Sequence, residues 1–218
     1  MGRCEMKREK YLTFLLAICV FSYTMMINCS MTLGAENTHY ILPQEPIIKS
    51  YIYDLRDSYV REQRLIKYIE DLTGLERIHC EFIVKESKEK NIDPFIVLGL
   101  IKRESDFNPH ARGAYGEIGL GQLMESTAMI ISENLGFDFY PDRLLDPEYN
   151  LKLTITQLSY LMRLYDNDFH MALTAYNRGQ QGLLNYMKNE NERGISDYSA
   201  KVLMFASEYK ESFDNFYN

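Results

Sequence analysis

Two Asp-Pro pairs, Asp93-Pro94 and Asp146-Pro147, each stand directly ahead of an apolar pattern with helical period. An Asp side chain accepts from the free N–H groups of a first helical turn. A proline there loses nothing, because its missing N–H has no partner in that turn. The first pair predicts a helix from Pro94 to about Glu104. The second predicts a long helix bearing Leu151, Ile155, Leu158, Met162 and Tyr165. Asp168 reads as the cap of a helix through Met171, Ala172, Ala175 and Tyr176 to Gly179.

Helical spacing also marks Ser50 to Leu72, through Ile52, Leu55 and Tyr59 and then Leu65, Ile66, Ile69 and Leu72, with a shift near Glu62-Gln63. Leu75 to Lys90 is expected to turn Ile78, Phe82 and Ile83 inward. Gln122 to Leu135 reads as a helix closed by Gly136, and two more stretches lie near 183–189 and 197–216. Glu36 to Ile48 contains Pro43 and Pro46 and reads as an extended linker. Strand-like alternation is nearly absent, so the expected fold class is all-α.

At 218 residues the chain has room for one domain and a leader. Hydrophobic residues are 46% and charged residues 25%, enough apolar surface for a packed core, which excludes a largely disordered chain. A net charge of −7 without a basic run excludes a nucleic-acid partner, since phosphates need a basic face. Within residues 1–35, four cations against two anions precede the uncharged apolar run Tyr11 to Ile27, and Leu33-Gly34-Ala35 offers a small-residue cleavage site. That is the order of a secretory signal peptide. The same run, at the short end for a bilayer span, is the alternative membrane anchor. Either reading places the protein outside the cytoplasm: in the periplasm, in the cell wall or on the outer face of the cytoplasmic membrane. Three of the 4 cysteines fall in this leader, which leaves Cys80 as a small core residue. No His/Cys spacing supports a metal, and no cofactor is expected.

The chemistry concentrates at 104–124. Val97, Ile101 and Glu104 share one helix face, which puts a carboxylate on an apolar stripe at a helix C-terminus. Burial and the helix dipole both raise such a pKa, which suits a general acid. The alternative is a surface Glu at a frayed end. Gly113, Gly116, Gly119 and Gly121 then crowd into nine residues, where backbone can approach a ligand closely. No Lys-Ser/Thr follows, so a phosphate loop is not supported.

Glu104-Ser105-Asp106-Phe107-Asn108-Pro109-His110-Ala111, followed by Gly116-Glu117-Ile118-Gly119-Leu120-Gly121-Gln122-Leu123-Met124, resembles the catalytic segment of the soluble lytic transglycosylases (SLT domain), relatives of goose-type lysozyme. Asp146-Pro147 with Asn150-Leu151, Ala175-Tyr176-Asn177-Arg178-Gly179, and Tyr198 with Val202 match further blocks, so the likeness spans about residues 92–205. It implies a lysozyme-like helical domain over 91–218, with 36–90 as a linker and helical extension. It implies cleavage of the MurNAc–GlcNAc β-1,4 bond of peptidoglycan glycan strands with Glu104 as sole catalytic acid/base, giving 1,6-anhydro-MurNAc ends. By the same likeness Ser105, Gly113, Gln122, Met124, Tyr176 and Asn177 line the substrate groove.

Three positions depart from the family pattern. Gly113 stands where the family has Ser. Gly121 stands where it has Met, which removes bulk and adds flexibility. Glu117 stands where it has Ala. Glu117 is either a solvated loop residue or a second carboxylate in the cleft that raises the pKa of Glu104 or activates water. The rival functions are therefore a lysozyme-like hydrolase and a non-catalytic glycan-binding or assembly protein that kept the groove. Tyr115, Phe137 and Tyr140 are candidate sugar-stacking residues, and His110 a candidate contact to a muramyl lactate. Residues 36–90 are a candidate docking or substrate-positioning extension, and a partner in cell-envelope assembly is a candidate binding partner.

Overall fold

The structure, a computed structural model, describes residues 45–217. The chain divides into two compact units, 1–52 and 53–218. Of the first, only 45–52 are described, as the opening of helix α1 (Glu45–Thr73). The leader over 1–35, with its expected signal or anchor, lies outside the described residues, as does the linker up to residue 44. Helix therefore replaces the expected extended backbone at 45–48, with Pro46 in the first turn, where a missing N–H is tolerated. Among the described residues no helix is long and apolar enough to cross a membrane.

The second unit continues as α2 (Arg77–Glu89), α3 (Pro94–Ser105), α4 (Glu125–Asn134), a 3-10 turn (Pro141–Leu145), α5 (Pro147–Leu164), α6 (Phe169–Asn189) and α7 (Asp197–Tyr217). The three Asp caps form as read. Asp93 accepts from the Phe95 N–H at 2.9 Å, Asp146 from the Tyr149 N–H at 2.9 Å and Asp168 from the Met171 N–H at 2.9 Å. Gly179, with φ 71° and ψ 165°, is non-helical and parts α6 into two helices, matching the two stretches expected on either side.

Two expectations need correction. α4 starts at Glu125 rather than Gln122, because Ile118 pairs with Leu123 and holds 122–124 in the preceding loop. Ile78 is 57% exposed, whereas Cys80 and Ile83 are fully buried. At 100° per residue Ile78 lies on the far side of α2 from Cys80. In α1, Leu55 and Tyr59 are exposed while Ile66 and Ile69 are buried, so the shift near Glu62-Gln63 marks where the helix meets the core.

α3 is buried at every position from Phe95 to Ile101, as befits a central helix. It lies along α7, α7 packs on α6, and α6 on α5. The closest approach is at Gly99, where an added Cβ would come within 2.4 Å of the Val202 carbonyl oxygen and 3.1 Å of the Ala206 nitrogen. Tyr198, Val202 and Ala206 recur every four residues on α7 and are all buried. The backbone contact thus carries Tyr198, one turn above Val202, to the C-terminal end of α3. A smaller core under the loop, built on Ile118, Leu123, Ala128, Ile131, Leu144, Tyr149 and Leu153, is joined to the main one by Tyr176, which packs against both.

Gly99→Ala forces α3 and α7 apart and is expected to cost about 1–3 kcal/mol. Urea denaturation of the variant beside wild type measures this; an unchanged midpoint contradicts the contact.

Candidate active site

The carboxyl group of Glu104 sits one turn beyond Ile101, on the row it shares with the fully buried Val97 and Ile101. The chain leaves α3 sharply, with Asp106 (φ 53°) and Phe107 (φ 62°) both left-handed. Glu104 is only partly buried there. The hydroxyl of Tyr198 donates to Glu104 Oε1, and the Arg103 guanidinium lies over the Tyr198 ring at 5.5 Å.

Burial pushes the Glu104 pKa up to about 7. The Tyr198 hydrogen bond and the positive charge of Arg103 oppose the shift, and the like charge of Glu117 adds to it. Desolvation outweighs the two opposing groups, and the carboxyl stands above its ordinary range. Burial and the negative charge of Glu104 in turn push the hydroxyls of Tyr176 and Tyr198 above their ordinary range, so both stay protonated donors.

The glycine-rich segment is a strapped loop. Ile118 and Leu123 exchange backbone hydrogen bonds at 3.0 and 3.1 Å, and the Gly119 N–H donates to Ala111 at 2.9 Å. Asn150, fully buried on α5, clamps it. Its Nδ2 donates to the carbonyls of Ile118 and Leu144, and its Oδ1 accepts from the Gly121 N–H at 2.9 Å and from Thr154 Oγ1 at 3.3 Å. This amide spends one donor and its acceptor on the loop and the other donor on the 3-10 turn, so it ties the loop to the turn and to α5.

The predicted site residues fall around this frame. Ser105 Oγ donates to Leu120 O at 2.8 Å and so ties α3 to the loop. Gln122 Nε2 donates to Ala111 O and Gly119 O, holding the loop closed with its own backbone at φ 47°. Tyr176 Oη donates to Gly121 O at 2.8 Å. Gly113 faces the loop's interior turn, Met124 stands 40% exposed ahead of α4, and Asn177 is exposed on α6. Ser105, Gln122 and Tyr176 are thus brought together through the loop backbone, whereas Met124 and Asn177 make no such bond to it. Tyr115, Phe137 and Tyr140 are solvent-facing, as is His110.

Gly121 needs a correction. The expected gain in flexibility does not arise, because a Cβ there would meet Thr154 Oγ1 at 1.9 Å and both neighbouring backbone groups are bonded. The residues that the motif reading passed over are Asn150, Thr154 and Tyr198. Asn150 and Tyr198 lay inside matched blocks, which was their only signal.

With this geometry in place, comparison with known proteins is decisive for the family. The profile described as "Transglycosylase SLT domain" matches residues 81–199, more than half of the chain. The chain belongs to the SLT transglycosylase family. Its SLT domain is similar to a soluble lytic murein transglycosylase of Salmonella typhimurium, 26% identical over 115 residues, covering 52% of this chain and 18% of that protein. It is 33% identical over 118 residues to the membrane-bound lytic murein transglycosylase C of Actinobacillus pleuropneumoniae, covering 50% of this chain and 32% of that one. The chain therefore spans a third or less of these relatives. Among solved structures, the 70-kDa soluble lytic transglycosylase of Escherichia coli shares the fold, with a TM-score of 0.54 and 24% identity over 60% of this chain and 24% of that one. An inactive mutant of a Pseudomonas aeruginosa lytic transglycosylase gives a TM-score of 0.55 at 23% identity over 68% of this chain and 28% of that one. The all-α class and the lysozyme-like transglycosylase architecture expected from the sequence are the observed ones.

A folded-state carboxyl near 7 against an ordinary 4.5 binds more protons in the folded than in the unfolded chain between those values, so stability falls as pH rises through that window. Glu104→Gln keeps the acceptor for Tyr198 and removes the charge. Thermal melts are expected to place it several degrees above wild type at pH 8, on the order of 5 °C, and level with it at pH 4. Equal melting points at both pH values contradict a burial-tuned carboxyl.

Proposed function

We propose that the protein cleaves the MurNAc–GlcNAc β-1,4 bond of peptidoglycan strands with Glu104 as the single acid/base, leaving 1,6-anhydro-MurNAc ends. The observation that carries this reading is the partly buried Glu104 carboxyl, pushed up to about 7 by burial and bonded through one oxygen to Tyr198. Membership of the SLT family and the names of its relatives, which are lytic murein transglycosylases, support the substrate class.

The steps follow from the groups present. Tyr198 donates to Oε1, which leaves Oε2 to carry the proton. Glu104 gives that proton to the glycosidic oxygen, and the bond to C1 of the muramyl residue breaks. The 2-acetamido oxygen of that sugar covers the electron-poor C1, as family members are understood to do. Glu104, now a carboxylate steadied by the Tyr198 hydroxyl, takes the proton of the 6-hydroxyl. O6 then closes on C1. One carboxyl serves as acid and then base, which works only when its pKa lies near the working pH. This scheme needs no second enzyme carboxylate, unlike the usual glycosidase pair.

Ser105, Gly113, Gln122, Met124, Tyr176 and Asn177 are proposed as the groove around this carboxyl, with the loop clamp on Asn150 holding its wall. The charged leader and apolar run over 1–35 support export, with action in the periplasm, in the wall or at the outer face of the membrane. The extension before residue 91 is proposed to dock a partner in cell-envelope assembly.

Digestion of purified sacculi tests the reading. Anhydro-muropeptides are expected from wild type, with a drop of at least about a thousandfold in Glu104→Gln, since both proton transfers are lost. Release of reducing-end products alone favours the hydrolase, and binding without release favours the glycan-binding protein. The rate with wild type is expected to fall as pH rises past about 7, because kcat/KM needs Glu104 protonated in the free enzyme. A rate still climbing at pH 9 contradicts it.

A further inference from the structure

Two of the departures from the family pattern touch each other. An added Cβ at Gly113 would lie 2.2 Å from Glu117 Oε2 and 2.8 Å from its carboxyl carbon. The carboxylate of Glu117 therefore occupies the volume that a side chain at 113 would fill. It is held there by the turn: the Tyr115 N–H donates to Glu117 Oε2 at 3.0 Å, and the Gly113 N–H donates to the Glu117 carbonyl at 2.8 Å. Gly113 is not among the left-handed residues, so its backbone accepts a side chain, and the nearest atoms in the way are the Glu117 carboxylate and Gln122 Oε1, at 2.9 Å. Where the family pattern has Ser at the first position and Ala at the second, this chain has moved the polar group across the turn.

We propose that Glu117 replaces the missing residue-113 side chain as a substrate-contacting residue, accepting a hydrogen bond from a hydroxyl or acetamido N–H of the sugar bound against Glu104. The inference rests on the glycan-cleaving reading above. The loop that carries Glu117 is tied to the end of α3 by Ser105 and to α6 by Tyr176, so its position relative to Glu104 is fixed. Glu117 is partly exposed, on a loop whose neighbours Gly113 and Gln122 are also reached by solvent. A carboxylate only accepts, so it selects donors, and a bond to a charged acceptor is roughly twice as strong as a neutral one. The sugars of a glycan strand offer such donors on every ring.

The charge has a second, separable effect. Three groups act on the Glu104 carboxyl: Arg103 on its own helix, Tyr198 from α7 and Glu117 from the loop; the charge of Glu104 in turn raises the Tyr176 hydroxyl on α6. Only Glu117 repels its ionised form as a like charge. Removing Glu117 is therefore expected to lower the pH at which Glu104 ionises, whereas moving a neutral hydroxyl into its place is not expected to raise it again.

The test uses the full chain with E117A, G113S and the double variant G113S/E117A, beside Glu104→Gln, on glycan strands across pH. E117A is expected to raise KM roughly tenfold, the loss of one charge-assisted hydrogen bond, and to move the falling limb of kcat/KM to lower pH. G113S is expected to copy E117A, because the new Cβ pushes the flexible carboxylate out into solvent. The double variant restores a hydroxyl to the shared space. Its KM is expected to return to within about threefold of wild type while its pH limb stays low. A KM and pH limb in E117A equal to wild type overturn the proposal, as does a double variant no better than E117A. If wild type itself releases no muropeptide, the cleavage reading has failed instead. Calorimetry with a GlcNAc–MurNAc oligomer then decides the contact: a roughly tenfold loss of affinity in E117A supports it, and equal affinity overturns it.

Discussion

The contact between α3 and α7 at Gly99 sets the register on which the site depends. With no side chain at that position, the Val202 carbonyl reaches the α3 backbone, and the two helices pass at a separation that any Cβ would enlarge. Counting five residues up α3 from Gly99 and four residues back along α7 from Val202 brings Glu104 and Tyr198 to the same height. Their hydrogen bond is thus a consequence of helix packing, and Arg103 over the tyrosine ring closes the same group from outside. Interiors packed to crystal-like density transmit such a constraint with little slack.

The second side of the site is rigid for a different reason. A glycine-rich loop would ordinarily be mobile, yet a buried amide on α5 takes up two of its backbone groups and ties them to the 3-10 turn through Leu144. Three of its glycines meet a particular neighbour: Thr154 at Gly121, Asn150 at Gly119 and the Glu117 carboxylate at Gly113. At those positions other side chains have taken the space, whereas Gly116 stands in the open and serves its left-handed turn, with φ 94°. Between this wall and the helix end, Glu104 feels a balance in which loss of hydration outweighs one hydrogen bond and one cation. A single carboxyl poised near neutrality follows from that balance, and the proposed two-step proton relay needs nothing else of the enzyme.

Much of the fold was legible in the chain because capping is local. Asp93, Asp146 and Asp168 each accept from an N–H two or three residues on, so their effect is written within one turn. Glu104 was legible as well, since Val97 and Ile101 mark its face. Legibility stopped where a distant partner decides. Gln122 to Met124 have ordinary helical character, but Ile118 claims Leu123 for the loop. Ile78 sits in an apolar pattern that reads inward until the packing of α2 chooses the Cys80 and Ile83 side.

The sequence by itself determined the helical class, the helix starts, the placement of one acid on an apolar stripe and the blocks that mark the SLT family, because each depends on residues close together along the chain. Only the tertiary structure decided which groups touch that acid. Tyr198 lies 94 residues further on, and the carboxylate at residue 117 stands in the space of residue 113. Such contacts depend on how close two packed elements come, and spacing along a chain does not record that distance.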